Sequence, residues 1–250
     1  MVLHQKSLTL ITIITILITT TSIATIARAQ NSSSCSTTCG SGKSAKSVQY
    51  PFGFSEECVI PLTCSDKNEI KFGEFTVQNV TRSSIFVHLP AQCNRRYQSI
   101  DPLFGPNFGP SLNNNLLFQN CTSPLPGCQI PAEFVQKRFN LSSCDNITCM
   151  SQAPNGSDIM RIEDLNRIGC NYLFGSFSVQ SGRDSLLSLE FETLQLGWWV
   201  HGPCECHLNA MSTTVKLSEG KPPGCRCSCN AGFDGDGFKL GSGCQGTVYF

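Results

Sequence analysis

Residues 35–64 read CSTTCGSGKSAKSVQYPFGFSEECVIPLTC, and the rest of the chain is organised around them. Cys35, Cys39, Cys58 and Cys64 bracket a short apolar run, VQYPFGF, from Val48 to Phe54. Tyr50, Phe52 and Phe54 alternate, which suits an extended segment with one buried face. Pro51 and Gly53 interrupt it, so it reads as an edge or turn-bounded piece and not as a central strand. The small-residue loop just ahead carries Lys43 and Lys46. Crosslinks are expected to hold this stretch rigid, with its aromatics in the core and the polar loop meeting a ligand.

The chain has 250 residues and 16 cysteines, all after residue 29. An even, high count signals an oxidising compartment and a disulfide framework of up to eight bridges. Spacing alone leaves the connectivity open. Residues 1–29 read as a secretory signal peptide: His4 and Lys6 precede an apolar run from Leu8 to Ala27, and Ala27-Arg28-Ala29 matches a small-x-small cleavage site. The mature chain is then expected to start at Gln30. The alternative is an uncleaved signal anchor, because the run is just long enough to cross a bilayer. No later stretch reads as a membrane span. Six Asn-x-Ser/Thr sequons follow, at Asn31, Asn79, Asn120, Asn140, Asn146 and Asn155. They suggest a glycoprotein with these asparagines on its surface, and glycans mark where a partner does not dock.

Net charge is zero, and −2 once the leader is removed. Residues 35–100 carry +2 and residues 101–250 carry −4. Nucleic acid wants a strongly basic face, so it is not an expected partner. A mild positive lobe suits an acidic polysaccharide if its cations are local, since exposed charges act over only about 8–10 Å at physiological salt. The candidate cations are Lys43, Lys46, Lys71, Arg82, Arg95 and Arg96. One exposed ion pair contributes only about 0–1 kcal/mol, so binding would rest on several contacts along a polymer. Taken alone, the Arg95-Arg96 pair reads as solvated surface.

Further along, KFGEFTVQNV and SSIFVHL within residues 65–90 read as strands. DPLFGPNFGPSLNNN, residues 101–115, reads as an extended connection at a soft domain boundary. In residues 116–200, Pro131 is expected to open a short helix through Phe139. Ser157 is expected to cap another, with Ile159, Ile162, Leu165 and Ile168 on one face and Gly169 stopping it. NYLFGSFSV and SLLSLEFETLQLGWWV read as strands. Gly235-Asp236-Gly237 suits a tight hairpin, and Asp234 and Asp236 are assigned to turns. Cys204-x-Cys206 and Cys225-x-Cys227-x-Cys229 are spaced too closely for a structural zinc site. His88 reads as a packed structural residue. No GxSxG elbow, HExxH, P-loop or kinase signature occurs, so no catalytic residue, metal or cofactor is assigned.

The first cysteine pair followed by Gly40, then YPFG, then the second cysteine pair, resembles the galacturonan-binding domain of plant wall-associated receptor kinases and their kinase-like relatives. Residues 116–200 resemble the second cysteine-rich portion of that ectodomain, with its late Gly169-Cys170 and tryptophan-bearing strand. CSCNAGFDGDGFKLGSGC resembles the closing half of an EGF-like module. The first half departs from that pattern: Cys204 and Cys206 are too close, no cysteine lies near Ser212, and Cys225 stands where an aromatic residue often sits. With Cys225 taking the missing role, the resemblance implies Cys204–Cys225, Cys206–Cys227 and Cys229–Cys244. Leu196 to Pro203 hold no acidic residue, so no calcium site is assigned.

The implied fold is disulfide-rich and mainly β with a few short helices, two cysteine-rich lobes being followed by a small EGF-like module. The segments are a signal peptide (1–29), a galacturonan-binding-like domain (30–110), a second lobe (111–203), a degenerate EGF-like module (204–244) and a tail (245–250). The implied function is that of a secreted, non-enzymatic binder of acidic cell-wall polysaccharide (pectin, homogalacturonan), resembling the ectodomain without its kinase. The alternative is a disulfide-rich extracellular protein-interaction module, or a truncated receptor product, that recognises a peptide or receptor.

Overall fold

The computed structural model describes residues 35–247 apart from 124, 126–127, 129–131, 140–143, 145, 152–156, 182–186 and 218–219. The first residues of this region form two short strand pairs. β1 (Thr38–Cys39) and β2 (Lys46–Ser47) are antiparallel around a 3-10 turn, Gly42–Ser44. β3 (Phe52–Gly53) and β4 (Ile60–Pro61) are parallel. Disulfides Cys35–Cys58 and Cys39–Cys64 close loops of 23 and 25 residues. Each such closure stabilises by about 3 kcal/mol through the unfolded chain. The expected extended run is regular only at Phe52–Gly53, and the Tyr50–Pro51 peptide is cis. Gly53 lies against the Cys35–Cys58 bridge, and a Cβ there would overlap the Sγ atoms of both cysteines.

The next strands are β5 (Thr63–Cys64), β6 (Ile70–Phe72), β7 (Phe75–Val80), β8 (Ser84–His88), β9 (Phe108–Pro110), β10 (Asn114–Cys121), β11 (Ile147–Met150), β12 (Cys170–Ser181), β13 (Leu187–Phe191) and β14 (Thr193–Trp198). They build a six-stranded sheet, β5-β6-β7-β8-β14-β9, and a four-stranded sheet, β11-β10-β12-β13. The sequence suggests one strand across residues 185–200. Instead the chain changes sheets at Glu192, which has a φ of +55°. β13 edges the smaller sheet, and β14 enters the larger one between β8 and β9. The segments on either side of residue 110 therefore share one sheet. β14 is buried at all six positions, which explains its nearly continuous apolar reading.

Polar side chains hold this junction. Asn114 Nδ2 donates to the Gln195 carbonyl at 2.7 Å, and its Oδ1 accepts the Gln195 N–H at 2.8 Å. The Ser176 hydroxyl donates to the Thr193 carbonyl at 2.9 Å. Around them the main core draws on both segments: Ile60, Ile85, Val87, Leu89, Leu103, Phe118 and Leu196 are all fully buried. A smaller cluster, with Leu117, Phe174 and Phe177, receives Val135 of helix α1 (Ala132–Phe139). Pro131, the expected first residue of that helix, lies outside the described residues.

The second helix is shorter than expected. α2 spans Ile162–Arg167 and stops at Gly169, where φ is +74°. Ser157 is not its cap: its hydroxyl donates to the Ile159 carbonyl, and Ile159 forms a β-bridge with Ser111. Once the backbone at 159 is committed to that bridge, the helix starts later. The Asp164 carboxylate accepts the Arg161 N–H at 2.9 Å and caps the new start.

The last segment carries β15 (Ala210–Val215) paired with β16 (Gly224–Cys229), and β17 (Phe233–Asp234) paired with β18 (Gln245–Gly246). Its disulfides are Cys204–Cys225, Cys206–Cys227 and Cys229–Cys244. Cys93–Cys144, Cys121–Cys170 and Cys128–Cys149 complete a set in which no cysteine is free. The architecture is the disulfide-rich, mainly β fold with short helices that the sequence implies.

Asn114→Ala removes three side-chain hydrogen bonds, one accepting the Gln195 N–H and two donated to the Gln195 and Ser111 carbonyls, while the Ser111 N–H still holds the Gln195 carbonyl at 2.9 Å. A loss on the order of 3 kcal/mol is expected, read as a lower denaturant midpoint for the oxidised protein.

Candidate functional site

Two of the six candidate cations line one open groove of about 790 Å³. Lys46 reaches it from β2 and Arg82 from the turn between β7 and β8. Tyr50, Phe52 and Trp198 also line it, as do Asn79 and Asp236. The groove exists because three distant segments meet at one aromatic cluster. Phe52 lies edge-on to Trp198 at 5.4 Å, Tyr50 edge-on to Phe238 at 5.0 Å, and Trp198 is 6.3 Å from Phe238. Phe52 is buried and Tyr50 half-buried, so these aromatics are mainly core. Burial first, then the nearby carboxylates of Asp236 and Glu205, push the Tyr50 phenol above its ordinary pKa, so it remains a neutral hydrogen-bonding group.

The charges of the groove are unequally free. Lys46 is exposed, and Lys43 is exposed in the neighbouring 3-10 turn. Arg82 donates to Asp234 at 2.6 Å across an exposed ion pair. That hydrogen bond from Arg82 is the leading cause holding the Asp234 carboxyl below its usual range. Asp234 thus binds Arg82 in addition to its local backbone hydrogen bond at Gly235. Asp236 serves its turn: its carboxylate accepts the N–H groups of Phe238 at 2.9 Å and Gly243 at 3.2 Å, and the Ser242 hydroxyl at 2.9 Å. Its lone pairs are occupied within the loop, so it opposes an incoming anion less than a free carboxylate does.

The other candidates lie elsewhere. Lys71 is half-buried and 3.9 Å from Glu69. Arg96 is exposed, but it borders a different cavity with Glu74 and His88. Arg95 needs correction: it is not surface but 4% exposed. Its guanidinium donates to the Pro90 carbonyl and to Gln92 Oε1 at 3.4 Å. Burial lowers its pKa, partly countered by Glu74 and Glu192. Adjacent in sequence, Arg95 and Arg96 have opposite fates: Arg95 is buried on the Pro90 carbonyl and Gln92, while Arg96 is exposed.

Sequence reasoning missed Arg226. It donates to the Ser83 carbonyl at 2.7 Å, and its guanidinium carbon lies 5.8 Å from the Trp198 ring centre. Together with Arg82–Asp234, it ties the β7–β8 turn to the last segment. The period-two alternation Cys225, Cys227, Cys229 carried the signal, since it places Arg226 on the face away from the cysteines.

The remaining assignments are placed as follows. His88 Nδ1 lies 3.1 Å from the Glu192 carbonyl, a structural contact. The sulfurs of Cys204, Cys206 and Cys227 lie within 4.8 Å of one another, but all are spent in disulfides, leaving no thiolate for a metal. Asn79, Asn120 and Asn146 are exposed. Asn31, Asn140 and Asn155 lie outside the described residues. Among the described residues, no helix is long and apolar enough to cross a membrane.

In comparison with known proteins, this chain is 39% identical over 216 residues to wall-associated receptor kinase-like 14 of Arabidopsis thaliana, covering 82% of this chain and 30% of that protein. It is 39% identical over 223 residues to wall-associated receptor kinase-like 21 of Arabidopsis thaliana, covering 85% of this chain and 35% of that protein. The chain thus spans about a third of the length of the curated relatives it matches. No family model matches it, and no solved structure does.

Arg95→Gln is expected to lower stability by about 2 kcal/mol, because it removes a charged donor from buried acceptors. Arg96→Gln should change it by less than about 0.5 kcal/mol. Denaturant midpoints of the two variants provide the comparison.

Proposed function

Since this chain is a homologue of the extracellular region of plant wall-associated receptor kinase-like proteins, we propose that it is a non-enzymatic extracellular binder of acidic cell-wall polysaccharide. The groove between the first and last segments is its contact surface. The observation that carries this reading is the convergence of Lys46 and Arg82, far apart in sequence, on one open groove floored by aromatic side chains. Polygalacturonate presents a carboxylate on every sugar. Lys46 and Lys43 offer compact ammonium groups, and Arg82 offers a planar donor fork suited to a carboxylate. A sugar carboxylate would exchange with Asp234 at Arg82, which is feasible for an ion pair in open solvent. Tyr50 adds a neutral hydroxyl beside an apolar surface. Each contact is weak, so affinity grows with the number of sugars engaged and falls with salt. Secretion by way of the leader at 1–29, and glycosylation at the exposed sequons, belong to the same reading.

A second reading is an extracellular protein-interaction module. It draws on Leu208, Met211 and Leu240 of the last segment, which are 91%, 59% and 73% exposed.

The test uses mature protein whose N-glycans have been enzymatically trimmed, so that the polypeptide surface alone is read. Retention on immobilised de-esterified pectin is measured at rising salt. Wild type is expected to bind at low salt and elute as salt rises. Lys46→Gln with Arg82→Gln is expected to weaken binding at least tenfold, and Lys71→Gln to leave it nearly unchanged. No retention of folded wild type at low salt would reject the polysaccharide reading and favour the second one.

A further inference from the structure

The groove that gathers Lys46 and Arg82 is also lined by Asn79. Asn79-Val80-Thr81 is an N-glycosylation sequon. We propose that an N-glycan on Asn79 gates the groove: with the sugar attached, a carboxylated polysaccharide is excluded, and without it the polymer is admitted. The gate rests on the polysaccharide reading above.

Asn79 meets the physical requirements. It is exposed on β7, and no hydrogen bond engages its side-chain amide among the described residues. The ladder with β8 is irregular there: Val77 pairs with Val87, but Asn79 pairs with Phe86, so one residue of β7 bulges out beside the acceptor. Gln78, Asn79, Val80, Thr81 and Arg82 all line the groove. A sugar on Asn79 is thus rooted in one wall, three residues from the arginine that would meet the ligand. An N-glycan core is several hydrated sugar rings, a bulky addition for a groove of about 790 Å³. It competes for the volume a galacturonate chain would occupy, and it brings no carboxylate to satisfy Lys46.

The other described sequons provide an internal contrast. Gln119 pairs with Ile147 across the β10–β11 ladder, so Asn120 and Asn146 follow at its end. Both are exposed with positive φ, +54° and +56°, and neither lines the groove. Glycans there decorate another part of the molecule. Of the described sequons, only Asn79 couples modification to the candidate site.

The experiment uses the full mature chain, secreted from a host that adds only high-mannose glycans. Glycopeptide mass spectrometry reads occupancy at Asn79. Dissociation constants for a defined oligogalacturonide are then measured for untrimmed wild type, enzyme-trimmed wild type, and untrimmed Asn79→Gln and Asn120→Gln. The gate predicts that trimmed wild type and Asn79→Gln bind at least tenfold tighter than untrimmed wild type, while Asn120→Gln stays like untrimmed wild type. If Asn79 carries no glycan, the gate is overturned. If untrimmed and trimmed wild type bind equally, the gate is overturned while the polysaccharide reading stands. If trimmed wild type does not bind at all, the polysaccharide reading fails and the gate with it. Trimming leaves the polypeptide unchanged and reads the effect of all glycans together; the site-specific variants assign it to Asn79, with Asn79→Ser replacing Asn79→Gln if the latter folds poorly, and a tightening on trimming that neither Asn79 variant reproduces overturns the gate.

Discussion

The contact on which the rest depends is the packing around Trp198. Its indole touches Phe52 of the first segment and Phe238 of the last, while the guanidinium of Arg226 lies over its ring. The next residue faces the other way: Trp199 packs with Ile159 and Val215 in a separate cluster. Two adjacent tryptophans on opposite faces of one strand end therefore hold together pieces that have no sheet in common. Tryptophan suits this use because it buries a large apolar area with few rotatable bonds. The groove above Tyr50 is a by-product of that packing, being the seam left where the first and last segments meet. A site in such a seam exists only when both segments are seated.

The disulfides act at a different level. None of the eight joins the first segment, 35–64, to anything beyond residue 64, and the last three stay within 204–244. Covalent bridges thus make each small piece rigid, since short strands of two residues bury too little to stand alone. Cys93–Cys144 crosses residue 110; otherwise the pieces are joined to one another by non-covalent means: the β14 insertion, the Asn114 clasp, and the Arg82 and Arg226 contacts. The first and last segments are stiffened covalently within themselves and seated on the rest by packing.

This division accounts for what the sequence made legible. Cysteine number and spacing announced a crosslinked, mainly β chain, and period-two patterns located β7, β8 and β12. Aromatic alternation marked Phe52 as core. What the pattern hid was long-range. Nothing in TLQLGW says that it will lie between residues 84–88 and 108–110. A break at Glu192 is unexpected, because positive φ at a non-glycine residue has no reliable sequence mark. Arg95 and Arg96 look alike as letters, yet only one has buried carbonyls waiting for it. The helix before Gly169 starts later than its apolar pattern suggests because a bridge between Ile159 and Ser111 outweighs that local pattern. Of the six candidate cations, Lys46 and Arg82 converge on one groove at Trp198, a residue far from both in sequence.

The late entry of β14 has a consequence for biosynthesis. A chain threaded amino-end first into an oxidising compartment can close Cys35–Cys58 and Cys39–Cys64 as soon as residue 64 emerges. β8, ending at His88, must wait for Thr193 before its outer rim is covered. Through that interval a nascent molecule presents Ser84 to His88 as a naked ribbon of donors and acceptors, open to the wrong neighbour.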